Sequence, residues 1–180
     1  MGFVEMEYIS GVKLVKSSIF EDDRGSLMKL PNFPDHLESL KQGSVILSKN
    51  KLEGTIRGLH FQSGNFGEKK IISCTKGKVF DVFLDLRPQS TTFCRWSSVT
   101  LSSDSDMCIF LPEGIAHGFQ TLTDDVDILY FISGEFSENH SQALNPFDSQ
   151  INILWPLPVS SIAFRDLHAK SLKAFLEELS

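Results

Sequence analysis

Tyrosine is scarce in this chain, with two residues against fifteen phenylalanines in 180. Phenylalanine packs without a hydroxyl to satisfy, so most of these rings are expected in a core. Cysteine is scarce as well. Cys74, Cys94 and Cys108 lack close-paired spacing and stand in or near strand-like runs, which points to free thiols and a reducing cytoplasm. No apolar run approaches the roughly 18 residues of a membrane span. Met1–Lys16 mixes apolar and polar residues and carries Glu5 and Glu7, so it does not read as a signal peptide. An excess of positive charge is also missing. Seventeen Lys and Arg stand against 23 Asp and Glu, a net charge of -6. That argues against a nucleic-acid partner or an anionic membrane surface, but leaves room for a local basic pocket. Hydrophobic content of 41% and charged content of 22% describe a globular chain. Its length suits one domain, residues 1–180, with a sizeable core.

What is present is mostly β. Branched and aromatic residues mark strands near Gly11–Phe20, Ser44–Lys49, Lys70–Thr75, Lys78–Leu86, Trp96–Leu101, Met107–Leu111, Gly118–Leu122 and Val126–Ser133. Turn signals separate them at Asp23-Arg24-Gly25, Lys76-Gly77-Lys78, Arg87-Pro88-Gln89-Ser90, Ser102–Asp106 and Thr123–Asp125. Many short strands at this spacing predict a sandwich or a closed barrel. Pro34–Gln42 is a candidate short helix. Apolar residues at Phe164, Leu167, Leu172, Phe175, Leu176 and Leu179 predict an amphipathic C-terminal helix within Ser161–Leu179, in one piece or two. Asn145–Leu157 is the loop leading into it.

Two motifs carry the chemistry. Arg57-Gly58-Leu59-His60-Phe61-Gln62 lies in one half and Pro112-Glu113-Gly114-Ile115-Ala116-His117-Gly118-Phe119 in the other. Each sets a glycine close to a histidine. Two imidazoles and the Arg57 guanidinium in one cleft would suit proton transfer on an anionic substrate. A proton next to a ketone is weakly acidic. Its removal needs a base of near-neutral pKa and a positive group where enolate charge develops. His60 is the candidate base.

These residues resemble the dTDP-4-dehydrorhamnose 3,5-epimerase family, a branch of the cupins. The similarity runs from about Ile19 to Asp166. It rests on Asp23-Arg24-Gly25, the two histidine motifs, Lys70 before a strand, Asp81, Asp85-Leu86-Arg87, the Tyr130 strand, Trp155-Pro156 and Arg165-Asp166. The resemblance implies a mainly β cupin jelly-roll barrel with short peripheral helices and a C-terminal helix, assembled as a homodimer. It implies inversion, without a cofactor, at C3 and/or C5 of a 4-keto sugar linked to a nucleotide diphosphate. His60 would be the base and Asp166 the carboxylate that orients it. Lys70 would stabilise the enolate, alone or with His117, and Asp81 would orient Lys70 or a histidine. Arg24, Arg57, Gln62 and Phe20 fall to substrate binding, with Arg24 reaching across the dimer.

The chain also departs from the family. The tyrosine acid that serves the second face is expected at Glu135 or Phe136, where no phenol stands; Glu135 would need burial to raise its pKa into an acid's range. Tyr130, in the run Ile128–Ile132, reads as an ordinary core aromatic. Lys29 stands where thymidine-binding members often carry an acid, and Asn145-Pro146-Phe147-Asp148 replaces a common Arg-Trp-Asn-Asp-Pro. Nucleotide identity and the number of inverted carbons therefore stay open. A one-carbon epimerase, a 3,4-ketoisomerase and a non-catalytic sugar-binding cupin are the alternatives. The usual cupin metal set is broken at Gln62, which leaves His60, Glu68 and His117 as the only metal alternative. Asp85-Leu86-Arg87 reads as an end-of-strand ion pair.

Overall fold

The computed structural model describes residues 3–5, 9–30 and 43–179. The candidate helix Pro34–Gln42 lies outside the described residues. The strands are β1 (Phe3–Glu5), β2 (Lys13–Lys16), β3 (Ser18–Asp22), β4 (Gly25–Lys29), β5 (Ser44–Asn50), β6 (Thr55–Gln62) and β7 (Lys70–Lys76). They continue as β8 (Lys78–Asp85), β9 (Trp96–Ser102), β10 (Met107–Leu111), β11 (Ile115–Thr121), β12 (Val126–Ile132), β13 (Ser141–Ala143) and β14 (Ser161–Ile162). One sheet runs β1-β2-β10-β7-β12-β5 and the other β13-β6-β11-β8-β9, with β14 also pairing β6 and β3-β4 forming a separate hairpin. The chain is thus mainly β, with two facing antiparallel sheets, as a cupin jelly roll requires.

Strand parity decides what lies between the sheets. On β8, Val79, Asp81 and Phe83 face inward, and Val82 and Leu84 face outward. Cross-strand partners share a face, so the pairs Phe119↔Asp81, His117↔Phe83 and His117↔His60 put all of these side chains inside. The facing sheet contributes Ile72, Cys74, Ile109, Leu111, Val126 and Ile128 to the same cluster. Phe83 and Phe119 are among its largest fully buried side chains, each worth about 1.5–3 kcal/mol of burial. A second core forms on the outer side of β6 and β8. There Leu59, Phe61, Val82 and Leu84 meet Leu144, Ile151, Ile153, Leu172 and Phe175. The C-terminal amphipathic segment comes in two pieces, Phe164–Leu167 and Leu172–Glu178, and the second caps this core with Leu172 and Phe175. Among the described residues no helix is long and apolar enough to cross a membrane.

Several details differ from the sequence expectation, and β1, β4, β13 and β14 were not among the expected strands. The run Gly11–Phe20 splits near Ser17 into β2, in the first sheet, and β3, in the hairpin. β11 begins at Ile115, so His117 lies inside a strand rather than at its end. β6 was not anticipated as a strand, because Gly58 interrupts it and glycine weakens strand propensity. Pairing with β11 on one side and with β13 and β14 on the other overrides that weakness.

Asp85-Leu86-Arg87 is an end-of-strand ion pair, as expected. Arg87 Nε and Nη2 meet the Asp85 carboxylate at 2.8 and 2.7 Å. Ser90 and Thr92 hydroxyls donate to Asp85 Oδ2 at 2.6 Å each, and Arg87 Nη2 reaches the Ser10 carbonyl. Burial alone would raise the Asp85 carboxyl, but Arg87, Ser90 and Thr92 outweigh it and hold the group at about 2. A depressed carboxyl stabilises the fold above its unfolded pKa near 3.8 and loses that contribution as pH falls toward about 2. Asp85→Asn should therefore lower stability by about 2 kcal/mol at neutral pH. It should also flatten the loss of stability between those two pH values, as read by urea unfolding at a series of pH; an unchanged acid limb would contradict this.

Candidate active site

At one end of the barrel the interior opens into a cleft of about 410 Å³. Both sheets contribute. From the second sheet come Arg57, His60, Gln62 and His117; from the first come Ile46, Ser48, Lys70, Tyr130 and Ile132. Phe61, Glu68, Phe136, Ser141 and Arg165 complete the lining.

A backbone contact sets the histidines side by side. A Cβ on Gly58 would lie 2.5 Å from Gly118 Cα, and one on Gly118 would lie 2.7 Å from the Arg57 carbonyl. Gly58 also has φ +126°, which an L side chain rarely adopts. Here the β6–β11 register shifts between His117 and Phe119. In a regular strand Arg57 and His60, three apart, would face opposite sides. With the irregularity between them, Arg57 pairs with Phe119 and His60 with His117, and both line the cleft.

Each histidine is backed by a buried aspartate. His60 Nε2 is 2.8 Å from Asp166 Oδ1, and His117 Nε2 is 2.8 Å from Asp81 Oδ2. A carboxylate only accepts, so in each pair Nε2 carries the proton and the Nδ1 lone pair is left. Exposure separates the two: the His60 side chain is 33% exposed and that of His117 5%. Asp166 Oδ2 also accepts the Gly58 N–H at 3.2 Å. Burial would raise the Asp166 carboxyl, but the hydrogen bond and charge of His60, the Gly58 N–H and Arg165 outweigh it, and the net shift is downward. Lys70 is buried with its ammonium 2.9 Å from Glu68 Oε1 and 3.1 Å from the His60 carbonyl. Arg57 Nε donates to Asn50 Oδ1 at 2.7 Å.

His60, Lys70, Asp81, His117 and Asp166 therefore come together. Arg57 joins them at the cleft. Gln62 lines the cleft too, but its amide is committed to the protein. Nε2 donates to Phe66 O, Glu68 Oε2 and Glu135 O, and Oε1 accepts the Ser137 N–H at 2.7 Å. Gln62 thus holds the loop after β12 against β6, instead of presenting a free amide to substrate. Phe20 and Arg24 lie on the β3–β4 hairpin and do not line the cleft of their own chain; Arg24 pairs with Asp22. Glu135 is exposed, so the burial that its acid role required is lacking. Among the described residues no three His, Cys, Asp or Glu side chains gather to hold a metal ion. Glu68, weighed with His60 and His117 for that role, instead pairs with Lys70.

Tyr130 is the residue that sequence reasoning misplaced. Its ring packs against the core, as expected of an aromatic in an apolar run, and also lines the cleft, edge-on to His117 at 5.9 Å between centroids. Burial pushes its phenol pKa well up, the Asp81 charge adds to this, and Arg57 offsets part of it. Strand parity held the missing signal. Lys70 pairs with Ile132 and Ile72 with Tyr130, so an inward Lys70 entails an inward Tyr130.

The dTDP-4-dehydrorhamnose 3,5-epimerase family profile matches residues 6–174. The chain belongs to that family. It is 30% identical over 165 residues to the dTDP-4-dehydrorhamnose 3,5-epimerase of Shigella flexneri, which spans 90% of this chain and 91% of the relative. The crystal structure of the Bacillus anthracis dTDP-4-dehydrorhamnose 3,5-epimerase, with TDP and pyrophosphate bound, superposes with a TM-score of 0.86 at 31% identity, covering 95% of this chain and 99% of that one. ChmJ, a 3'-monoepimerase from Streptomyces bikiniensis in complex with dTDP-quinovose, gives 0.83 at 27% identity, covering 95% and 88%. As a family member the chain is an isomerase, an epimerase of nucleotide sugars in deoxysugar biosynthesis.

Removing the Gln62 amide should loosen the cleft wall. Gln62→Leu leaves the Ser137 N–H and two carbonyls unsatisfied, and should cost roughly 1–3 kcal/mol in urea unfolding. It should also speed proteolysis within the 133–137 loop. Wild-type stability with unchanged cleavage would contradict the tethering role.

Proposed function

We propose that the cleft inverts a carbon beside the 4-keto group of a nucleotide-linked 6-deoxysugar, at C3 and/or C5, with side chains as base and acid. The observation that carries this reading is the one-third exposed His60 backed at 2.8 Å by buried Asp166, beside the Lys70 ammonium. His60 Nδ1 takes the proton next to the ketone. Asp166 steadies the imidazolium that forms, and Lys70 meets the oxygen on which enolate charge develops. Asp81 and His117 form a buried pair behind the reacting carbons and hold the adjoining wall. Arg57 binds the diphosphate, because a guanidinium offers planar paired donors.

Inversion needs a donor on the face opposite the base. His60 enters from one sheet and Tyr130 from the other, which supports Tyr130 as that donor and removes the need for an acid at Glu135 or Phe136. A tyrosine phenol is protonated at neutral pH, and burial moves its pKa further up. In D2O the enzyme should incorporate deuterium at C3 or C5 of a dTDP-linked 4-keto-6-deoxyglucose, followed by NMR. His60→Ala should lose this exchange by about 10²–10⁴-fold. Tyr130→Phe should retain exchange at the abstracted position while product inversion falls by roughly 10²-fold. Arg57→Lys should raise KM by roughly 10-fold with the fold intact. No exchange by the wild type would sink the reading, and efficient inversion by Tyr130→Phe would remove Tyr130 from it. The product spectrum separates inversion at one carbon from inversion at two, and from 3,4-ketoisomerisation.

The same reading includes a homodimer. β5 is an edge strand, and the β3–β4 hairpin pairs with no further strand among the described residues while exposing Ile19, Phe20 and Leu27 at 39%, 59% and 62%. Such an edge and such an apolar hairpin need covering. A second copy would cover them and bring Arg24, at the hairpin tip, to the partner's cleft. Sedimentation should give a dimer, and Phe20→Asp with Leu27→Asp should give monomers with reduced exchange. A fully active wild-type monomer would refute the shared site.

A further inference from the structure

We propose that Glu68 is a positioning residue for this reaction, fixing the Lys70 ammonium so that one N–H is left for the substrate's ketone oxygen. The proposal rests on Lys70 acting as the enolate stabiliser. An ammonium has three donors. Lys70 gives one to Glu68 Oε1 at 2.9 Å and one to the His60 carbonyl at 3.1 Å. Both acceptors are part of the protein wall, so the third donor remains on the side where Lys70 lines the cleft. A lysine has four flexible carbons, and without such anchors its head group would sample many positions.

Glu68 is itself held. Its side chain is 13% exposed, and its second oxygen accepts from Gln62 Nε2 at 3.3 Å. Gln62 is in turn bonded to Phe66, Glu135 and Ser137. The chain of contacts therefore runs from the loop after β12, through Gln62 and Glu68, to the reacting oxygen. The second anchor of Lys70 is the backbone of His60, so base and enolate stabiliser are fixed against each other. Two effects of Glu68 compete. Its negative charge opposes charge growing on the enolate, while its grip orients the donor. The grip prevails, because the remaining N–H would meet the enolate oxygen directly, while the carboxylate's charge is already paired with Nζ at 2.9 Å. Glu68 lines the same cleft, but its two oxygens are already engaged by Lys70 and by Gln62, so on this proposal it acts through Lys70.

The test is steady-state kinetics of solvent exchange on the dTDP-linked 4-keto sugar. Glu68→Ala should lower kcat by about 10–100-fold, the size of a misplaced catalytic group, with KM changed by less than about twofold. Glu68→Gln keeps an acceptor in place and should recover most of that loss. Glu68→Ala leaves a buried ammonium unpaired and risks misfolding, so the decisive arm is the Glu68→Ala/Lys70→Met double variant, which removes both charges. Its exchange rate should equal that of Lys70→Met alone. A further fall beyond about threefold, well outside ordinary additivity error, would show that Glu68 acts other than through Lys70 and would overturn the proposal. So would a wild-type or raised kcat in Glu68→Ala. An inactive wild type would instead overturn the reaction itself, and this proposal with it.

Discussion

The approach of two glycines governs the rest of the site. Gly58 and Gly118 bring the β6 and β11 backbones so close that a single added carbon on either would overlap the other strand. Because the strands meet there, the register slips, and the slip puts Arg57 and His60 on the same side. Without it, one of them would point into the outer core beside Leu59 and Phe61, where a charge or an open imidazole would be costly. The glycines that flank the two histidines in sequence are therefore part of the same device. They contribute no chemistry and determine where the chemistry sits.

Electrostatic pairing is the second constraint. A barrel interior accepts charge only in compensated form. His60 with Asp166, His117 with Asp81 and Lys70 with Glu68 meet this condition at separations of 2.8 to 2.9 Å. The members differ in exposure, and that difference distributes the roles. The imidazole of His60 is the more open and that of His117 the more enclosed, although both line the cleft. Arg57 bonds the neutral Asn50 amide through Nε, so its charge is not spent on a carboxylate there. An acidic chain thus retains a local cation at the mouth of its cleft, and net charge alone would never reveal it.

Much of this was legible in the sequence, and what was not has physical causes. Branched and aromatic residues gave most of the strands, the two motifs gave His60 and His117, and the family resemblance added Lys70, Asp81 and Asp166. Arg57 was legible too, from its place beside His60. β6 was hidden because its strand character comes from neighbours on both edges, not from its own residues. The division of Gly11–Phe20 was hidden because the break at Ser17 carries no turn signal in the sequence. Gln62 looked like a ligand contact because its motif is chemical, yet its amide closes a loop. Glu68 was weighed only as a metal ligand, since its bond to Lys70, two residues away, becomes visible only when both side chains turn the same way. Tyr130 was read as core because an apolar run conceals which of its alternate residues reach an opening.

That last point bears on why this architecture suits inversion. Removing a proton from one face of a flat enolate and replacing it on the other requires groups on two sides of a narrow space. A single sheet could offer both only by folding over itself. Two facing sheets offer them without further design, since inward residues of each already confront one another across the barrel. At the closed end those residues are Ile72, Phe83, Phe119 and Ile128, and they form a core. At the open end β6 and β11 carry His60 and His117 on one side, and β7 and β12 carry Lys70 and Tyr130 on the other. Stability and reaction geometry are thus two stretches of one interior, separated by only a few residues along each strand. The packed stretch holds the sheets at a fixed distance, and that distance sets the spacing between His60 on one sheet and Lys70 and Tyr130 on the other.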